Sequence, residues 1–277
     1  MDNSISRRLA VKSTVFGALF ASIPHILYSK EIVNLNHTLI DNKRYPAIAE
    51  SVVSEVVGLS HFDLEKLKVL VNARPELARA TWDWGFGDWE SAIGAASHVG
   101  RKDIIDFLLS KGARPDIFTF ATLGSFDTVR TMIEFVPGLQ RTLGPHGISL
   151  MQHVKNGIEA KTGSATEANK LLDYLLKLGD ADGIKYDVIA ESDKEQYLGD
   201  YKYGEGPTDG FTIRLNMRKL VSIGVIGKFG GTLLKTSENK FTYNGAPSVE
   251  ITFQFDKEKV SSLTIKEPGL TLLAKKI

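Results

Sequence analysis

Two hydrophobic rhythms divide this chain. Between residues 50 and 179, apolar positions recur at about the 3.6-residue spacing of helices with one buried face. The clearest unit is DWESAIGAASHVGRKDIIDFLLSKGARPD, residues 88–116. A short Ala- and Gly-rich helix over 91–98 ends at Gly100. A second helix, with Ile104, Ile105, Phe107, Leu108 and Leu109 on its apolar side, stops at Gly112-Ala113. Small residues on the first helix let the pair approach closely, and glycine at each break permits a tight turn. Weaker copies flank this unit. One covers 63–71 and exits through Arg74-Pro75-Glu76-Leu77; another runs from 121–124 into 127–133. A third opens over 147–157 and, after an insertion at 158–166, regains an outer helix at 168–178.

From Tyr197 the period becomes two. Phe211, Ile213, Leu215 and Met217 alternate with polar residues, and so do Val249, Ile251, Phe253 and Phe255. Gly204 to Pro207, Gly230-Gly231, Asn244-Gly245 and the charged run from Asp256 to Lys259 separate the segments. About six to eight short antiparallel strands follow from this pattern, as a small barrel or curled sheet.

The helical unit resembles an ankyrin repeat in Ala95-Ala96, Gly100, Leu108-Leu109 and Gly112-Ala113. It departs from that family at Ser91-Ala92-Ile93-Gly94, where T-P-L-H is expected. The resemblance implies an α+β chain: an ankyrin-like solenoid of about four divergent repeats within 31–179, a linker over 180–195, and an antiparallel β-domain over 196–277. It also implies protein binding on the extended surface of the repeats, with an unidentified protein as partner. The run YLGDYKYG, with ITFQFDKEKVSSLTI, is similar to small C-terminal β-domains appended to bacterial exported hydrolases.

The first 30 residues read as an export signal: paired arginines, then an apolar run from Val15 to Tyr28 too short to span a bilayer. Ser6-Arg7-Arg8-Leu9-Ala10-Val11-Lys12 resembles the twin-arginine translocation motif, with Ala10 and Val11 where Phe and Leu are expected. A basic, disordered N-terminus or an amphipathic helix is the alternative. Export implies a periplasmic or secreted protein of the bacterial cell envelope, with no stable membrane span afterwards.

Charge and composition narrow the partners. With 34 basic and 33 acidic residues the net charge is +1, so no whole-chain field favours nucleic acid. The chain contains no cysteine, which removes disulfides, thiolate metal sites and cysteine nucleophiles together.

All three tryptophans fall in TWDWGFGDWE, residues 81–90. This segment lies where an ankyrin repeat projects its hairpin finger, and Gly85 and Gly87 suit a tight tip. Trp82, Asp83, Trp84, Phe86 and Asp88 are therefore candidate binding residues. Trp84 is expected to be exposed at the tip and Trp89 to be buried against the next helix. His61, His98, His146 and His153 lie in the same region, but their spacing matches no familiar metal motif. They read as structural, and neither a metal nor another cofactor is expected. A different class of function remains open: a small-molecule or hydrolytic site where the helices meet the β-domain, with His98, His146, Asp83 and Asp88 as its polar groups. No G-x-S-x-G, GxxxxGK[ST] or H-E-x-x-H sequence is present.

Overall fold

The computed structural model describes residues 45–277 apart from Met217 and Phe229, so the expected export signal lies outside the described residues. By compactness the chain forms two units, Met1–Val52 and Val53–Ile277. The described part of the first is a turn leading into the first helical turn of α1 (Glu50–Leu59). The second unit holds the remaining helices and the whole β-structure.

Helix starts follow capping chemistry. Asp63 accepts the Lys66 amide before α2 (Leu64–Ala73), and Ser91 accepts that of Gly94 before α3 (Ala92–His98). Helix α4 (Lys102–Ser110) then pairs with α3. Asp116 caps α5 (Ile117–Thr122), which is followed by α6 (Phe126–Phe135). Ser149 caps α7 (Leu150–Ala160), and Ser164 caps α8 (Ala165–Leu178). Each such cap typically contributes ~1 kcal/mol. The core beneath them is built from Ile117, Ala121, Val129, Leu150, Val154, Leu171 and Leu175.

The helices are not arranged as an ankyrin solenoid, which corrects the expectation from the repeat pattern. In a linear stack each repeat touches only its neighbours. Here α3 packs against both α5 and α7. Thr122 Oγ1 donates to the Ser97 carbonyl at 3.0 Å, and Asn156 Nδ2 on α7 donates to the His98 carbonyl at 2.6 Å. Small residues make this three-way contact possible. A Cβ on Gly157 would lie 2.0 Å from the Thr122 carbonyl oxygen, and one on Gly100 would lie 2.5 Å from Ala160 Cβ. The alanines and glycines that suggest a repeat therefore serve a clustered bundle instead. Among the described residues, no helix is long and apolar enough to cross a membrane.

A short helix, α9 (Glu191–Lys194), precedes the β-domain. Its strands are β3 (Gly199–Lys202), β4 (Gly210–Leu215), β5 (Val221–Val225), β6 (Gly231–Ser237), β7 (Lys240–Tyr243), β8 (Glu250–Asp256), β9 (Lys259–Glu267) and β10 (Leu270–Lys276). They close antiparallel in the order β10-β3-β4-β5-β6-β7-β8-β9. Closure leaves no free sheet edge, and the inward alternate residues fill the interior: Tyr201, Ile213, Ile223, Phe241, Phe253 and Leu263.

The tryptophan segment is a β-hairpin, as its glycines suggest. Strand β1 (Thr81–Asp83) pairs with β2 (Trp89–Ser91) in the register Trp82↔Glu90. Its tip rests on the barrel: Tyr243 Oη donates to the Trp84 carbonyl at 3.1 Å, and the Phe86 and Tyr243 rings lie 4.9 Å apart. The loop before α7 meets the barrel too, since a Cβ on Gly147 would come within 2.4 Å of the Asn244 carbonyl oxygen.

Candidate metal centre

Strand alternation decides the faces of the hairpin. Consecutive residues point to opposite sides of a strand, so Trp89 and Glu90 cannot share one. Glu90 turns inward and is fully buried, while Trp89 faces out and is 63% exposed. Trp84 lies on the inner side, where its Nε1 donates to Glu90 Oε2 at 2.7 Å. Trp84 is exposed as expected, at 36%, although its Nε1 is tied to Glu90, whereas Trp89 is not buried against the next helix but is the more exposed ring.

Three imidazoles surround Glu90. His61 sits in the turn after α1, His98 ends α3, and His146 lies in the loop Gly144-Pro145-His146-Gly147. His61 Nε2 is 3.4 Å from Glu90 Oε2, His98 Nε2 is 3.0 Å from Oε1, and His146 Nε2 is 3.3 Å from Oε1. Ligand-capable atoms of these four residues all lie within 4.8 Å of one another. The tetrahedral edge for bonds of 2.0–2.1 Å is about 3.3 Å, which the His98 and His146 contacts to Oε1 match, while His61 reaches the other carboxylate oxygen.

The opposite ring nitrogens of His61 and His146 are already committed. His61 Nδ1 lies 3.0 Å from the Gly58 carbonyl and 3.1 Å from that of Val57. Carbonyls only accept, so Nδ1 carries a proton and Nε2 is the nitrogen turned toward Glu90. His146 Nδ1 lies 2.7 Å from Asp88 Oδ2, and its amide donates to Asp88 Oδ1 at 2.8 Å. These contacts hold His146 at φ 59°, ψ 21°. That left-handed backbone costs a non-glycine residue roughly 1–2 kcal/mol. Asn244 Nδ2 donates to Asp88 Oδ2, the oxygen beside His146 Nδ1, at 2.6 Å.

Within the cluster, two buried atoms have no hydrogen-bond partner of their own, Glu90 Oε1 and His98 Nε2. They are 3.0 Å apart but are not aligned as donor and acceptor. Both face a common point, which is unexpected for buried polar atoms unless something else satisfies them.

The electrostatics are set by burial and by the two carboxylates among the imidazoles. Burial alone would raise the Glu90 pKa; the imidazoles of His146, His61 and His98 reverse this and hold it well below the usual carboxylate range. Burial disfavours charge on His146, yet Asp88 and then Glu90 outweigh it and push its pKa up to about 10. For His98 burial prevails over Glu90 and the pKa falls; for His61 Glu90 prevails and it rises.

Of the residues singled out from sequence, the structure brings together Trp84, Asp88, His98 and His146. Asp83 is not among them: its Oδ1 accepts the Gly85 amide at 2.8 Å, a local turn contact. Trp82 is half-buried opposite Glu90, and Phe86 packs on Tyr243. Glu90 and Asn244 were not anticipated, and His61 was read as structural. An open groove of about 470 Å³ borders the cluster, lined in part by Asp88, Trp89, Asp116, Phe118, Tyr243 and Asn244. Compared with known proteins, the chain matches no family model, no curated protein and no solved structure.

Proposed function

We propose that this protein binds one divalent first-row transition metal ion through His61 Nε2, Glu90 Oε1, His98 Nε2 and His146 Nε2. A single observation carries the reading: two buried, unpartnered atoms, Glu90 Oε1 and His98 Nε2, face the same point as two further imidazole nitrogens. Nitrogen-rich donors with one carboxylate suit Zn²⁺ better than the oxygen-seeking Ca²⁺ or Mg²⁺. The charges agree, since a dication is balanced by Glu90 and Asp88. Four protein ligands complete a zinc tetrahedron, the pattern of a structural centre. The ion would tie together the turn after α1, the hairpin, the end of α3 and the loop before α7. Isothermal titration with Zn²⁺ tests this in wild type, Glu90→Gln and His98→Ala. Saturation at one ion per chain, weakened at least about a hundredfold in both variants, is expected. Equal binding by all three proteins would overturn the assignment.

A second reading, hydrolysis by a metal-activated water, would place a small organic substrate in the groove of about 470 Å³ that Asp88 and Asn244 line beside His146. Zinc-dependent turnover of simple aryl esters or phosphate esters, lost in His98→Ala, would select it. Zinc binding without such turnover leaves the structural centre.

A further inference from the structure

We infer that the barrel sets the affinity of the metal centre through a hydrogen-bonded chain, Asn244 to Asp88 to His146, which makes Asn244 and Asp88 positioning residues. The inference rests on the metal-binding reading above. Asn244 follows β7 and is itself buried. Its amide orientation is fixed by its own strand partners. The Thr232 amide donates to Asn244 Oδ1 at 2.7 Å, and the Asn244 amide donates to the Thr232 carbonyl at 2.9 Å. With Oδ1 occupied by a donor, Nδ2 is the end that faces Asp88, at 2.6 Å.

Asp88 passes the constraint onward. One oxygen accepts from Asn244 and lies 2.7 Å from His146 Nδ1; the other accepts the His146 amide at 2.8 Å. The carboxylate therefore grips both the ring and the backbone of the ligand residue. Asp88 holds the proton on Nδ1, so Nε2 is the nitrogen that exchanges its proton for the metal, and such a partner raises the basicity of the ring. The left-handed backbone of His146 fits the same account: a strained loop residue persists because both of its ends are fixed. Gly147 rests directly on the Asn244 carbonyl, so the loop follows the barrel turn.

The test compares wild type with Asn244→Gly and Asp88→Asn in the full chain. Glycine suits position 244, where φ is 44°, and it removes the whole carboxamide, so the Thr232 contact goes with the Asp88 one. Asp88→Asn keeps the shape but replaces one acceptor with a donor. Competition titration with Zn²⁺ should show about a tenfold loss of affinity for Asn244→Gly and about 10- to 100-fold for Asp88→Asn. The double variant should lose no more than Asp88→Asn alone, because both act through one chain. The visible spectrum of the Co²⁺-loaded protein supplies a readout that a purely structural role would not move. Its ligand-field bands should shift in both variants. If wild type binds Zn²⁺ and Co²⁺ but the variants keep its affinity and spectrum, the positioning chain is refuted while the centre stands. If wild type binds neither ion, the metal reading itself fails.

Discussion

The Trp84–Glu90 contact allows the site's geometry to be tested without any metal. In chelator, Trp84→Phe removes one donor from a fully buried carboxylate, at 2.7 Å, and leaves most of the ring volume in place. Hydrogen bonds to charged groups contribute roughly 1.5–3 kcal/mol, and the lost pyrrole edge adds about 1 kcal/mol through its cavity. The expected total is about 2–4 kcal/mol. Glu90→Gln removes the charge that the indole serves, so a double-mutant cycle should return a coupling of about 2 kcal/mol between the two positions. Trp89→Ala is the contrasting variant: with 63% of the ring exposed, it should cost less than about 1 kcal/mol. Urea denaturation followed by far-ultraviolet circular dichroism reads all of these. A coupling below about 0.5 kcal/mol would refute the contact. So would a larger loss from Trp89→Ala than from Trp84→Phe.

Three further outcomes follow. Gly157→Ala, which in an ordinary helix interior would stabilise by about 1 kcal/mol, should instead destabilise by about 3 kcal/mol, because the new Cβ would meet the Thr122 carbonyl at 2.0 Å; a rise in stability would contradict the α5–α7 contact. His153 is buried and its pKa is pushed down to about 4 from 6.5 by that burial, so the native chain refuses a proton that the unfolded chain accepts. Its contribution is intact above pH 6.5 and falls away as pH drops to 4, by about 3 kcal/mol in all; in paired urea titrations His153→Gln should flatten that slope, and an unchanged slope would count against it. Zinc at a hundred times its dissociation constant should add about 2.7 kcal/mol of stability, or a melting rise of roughly 5–10 °C, reversed by chelator; a melting point indifferent to both would speak against metal binding.

What the sequence disclosed depended on the range of each signal. Local signals carried well: the helices expected over 91–98 and up to the break at Gly112 form as α3 and α4, and the period-two run from Tyr197 becomes a closed barrel. Which helices stack is a long-range matter. Ala95-Ala96 and Gly100 permit close approach to any partner, and nothing local says that α7 as well as α5 meets α3. The candidate site divides in the same way. Its histidines come from separate segments, so spacing could not reveal them. Glu90 was more accessible. Strand parity places it on the face of Trp84 and opposite that of Trp89, and an inward carboxylate needs partners. Asn244 was visible only as turn chemistry, because its role requires the barrel to meet the hairpin.

The central claim is that four side chains share one metal ion, and anomalous scattering from zinc-soaked crystals tests it most directly. Data collected on either side of the zinc absorption edge should show one strong peak among His61 Nε2, Glu90 Oε1, His98 Nε2 and His146 Nε2, at about 2.0–2.2 Å from each. A crystal that takes up zinc elsewhere, or shows no peak between these four atoms at saturating zinc, would contradict it.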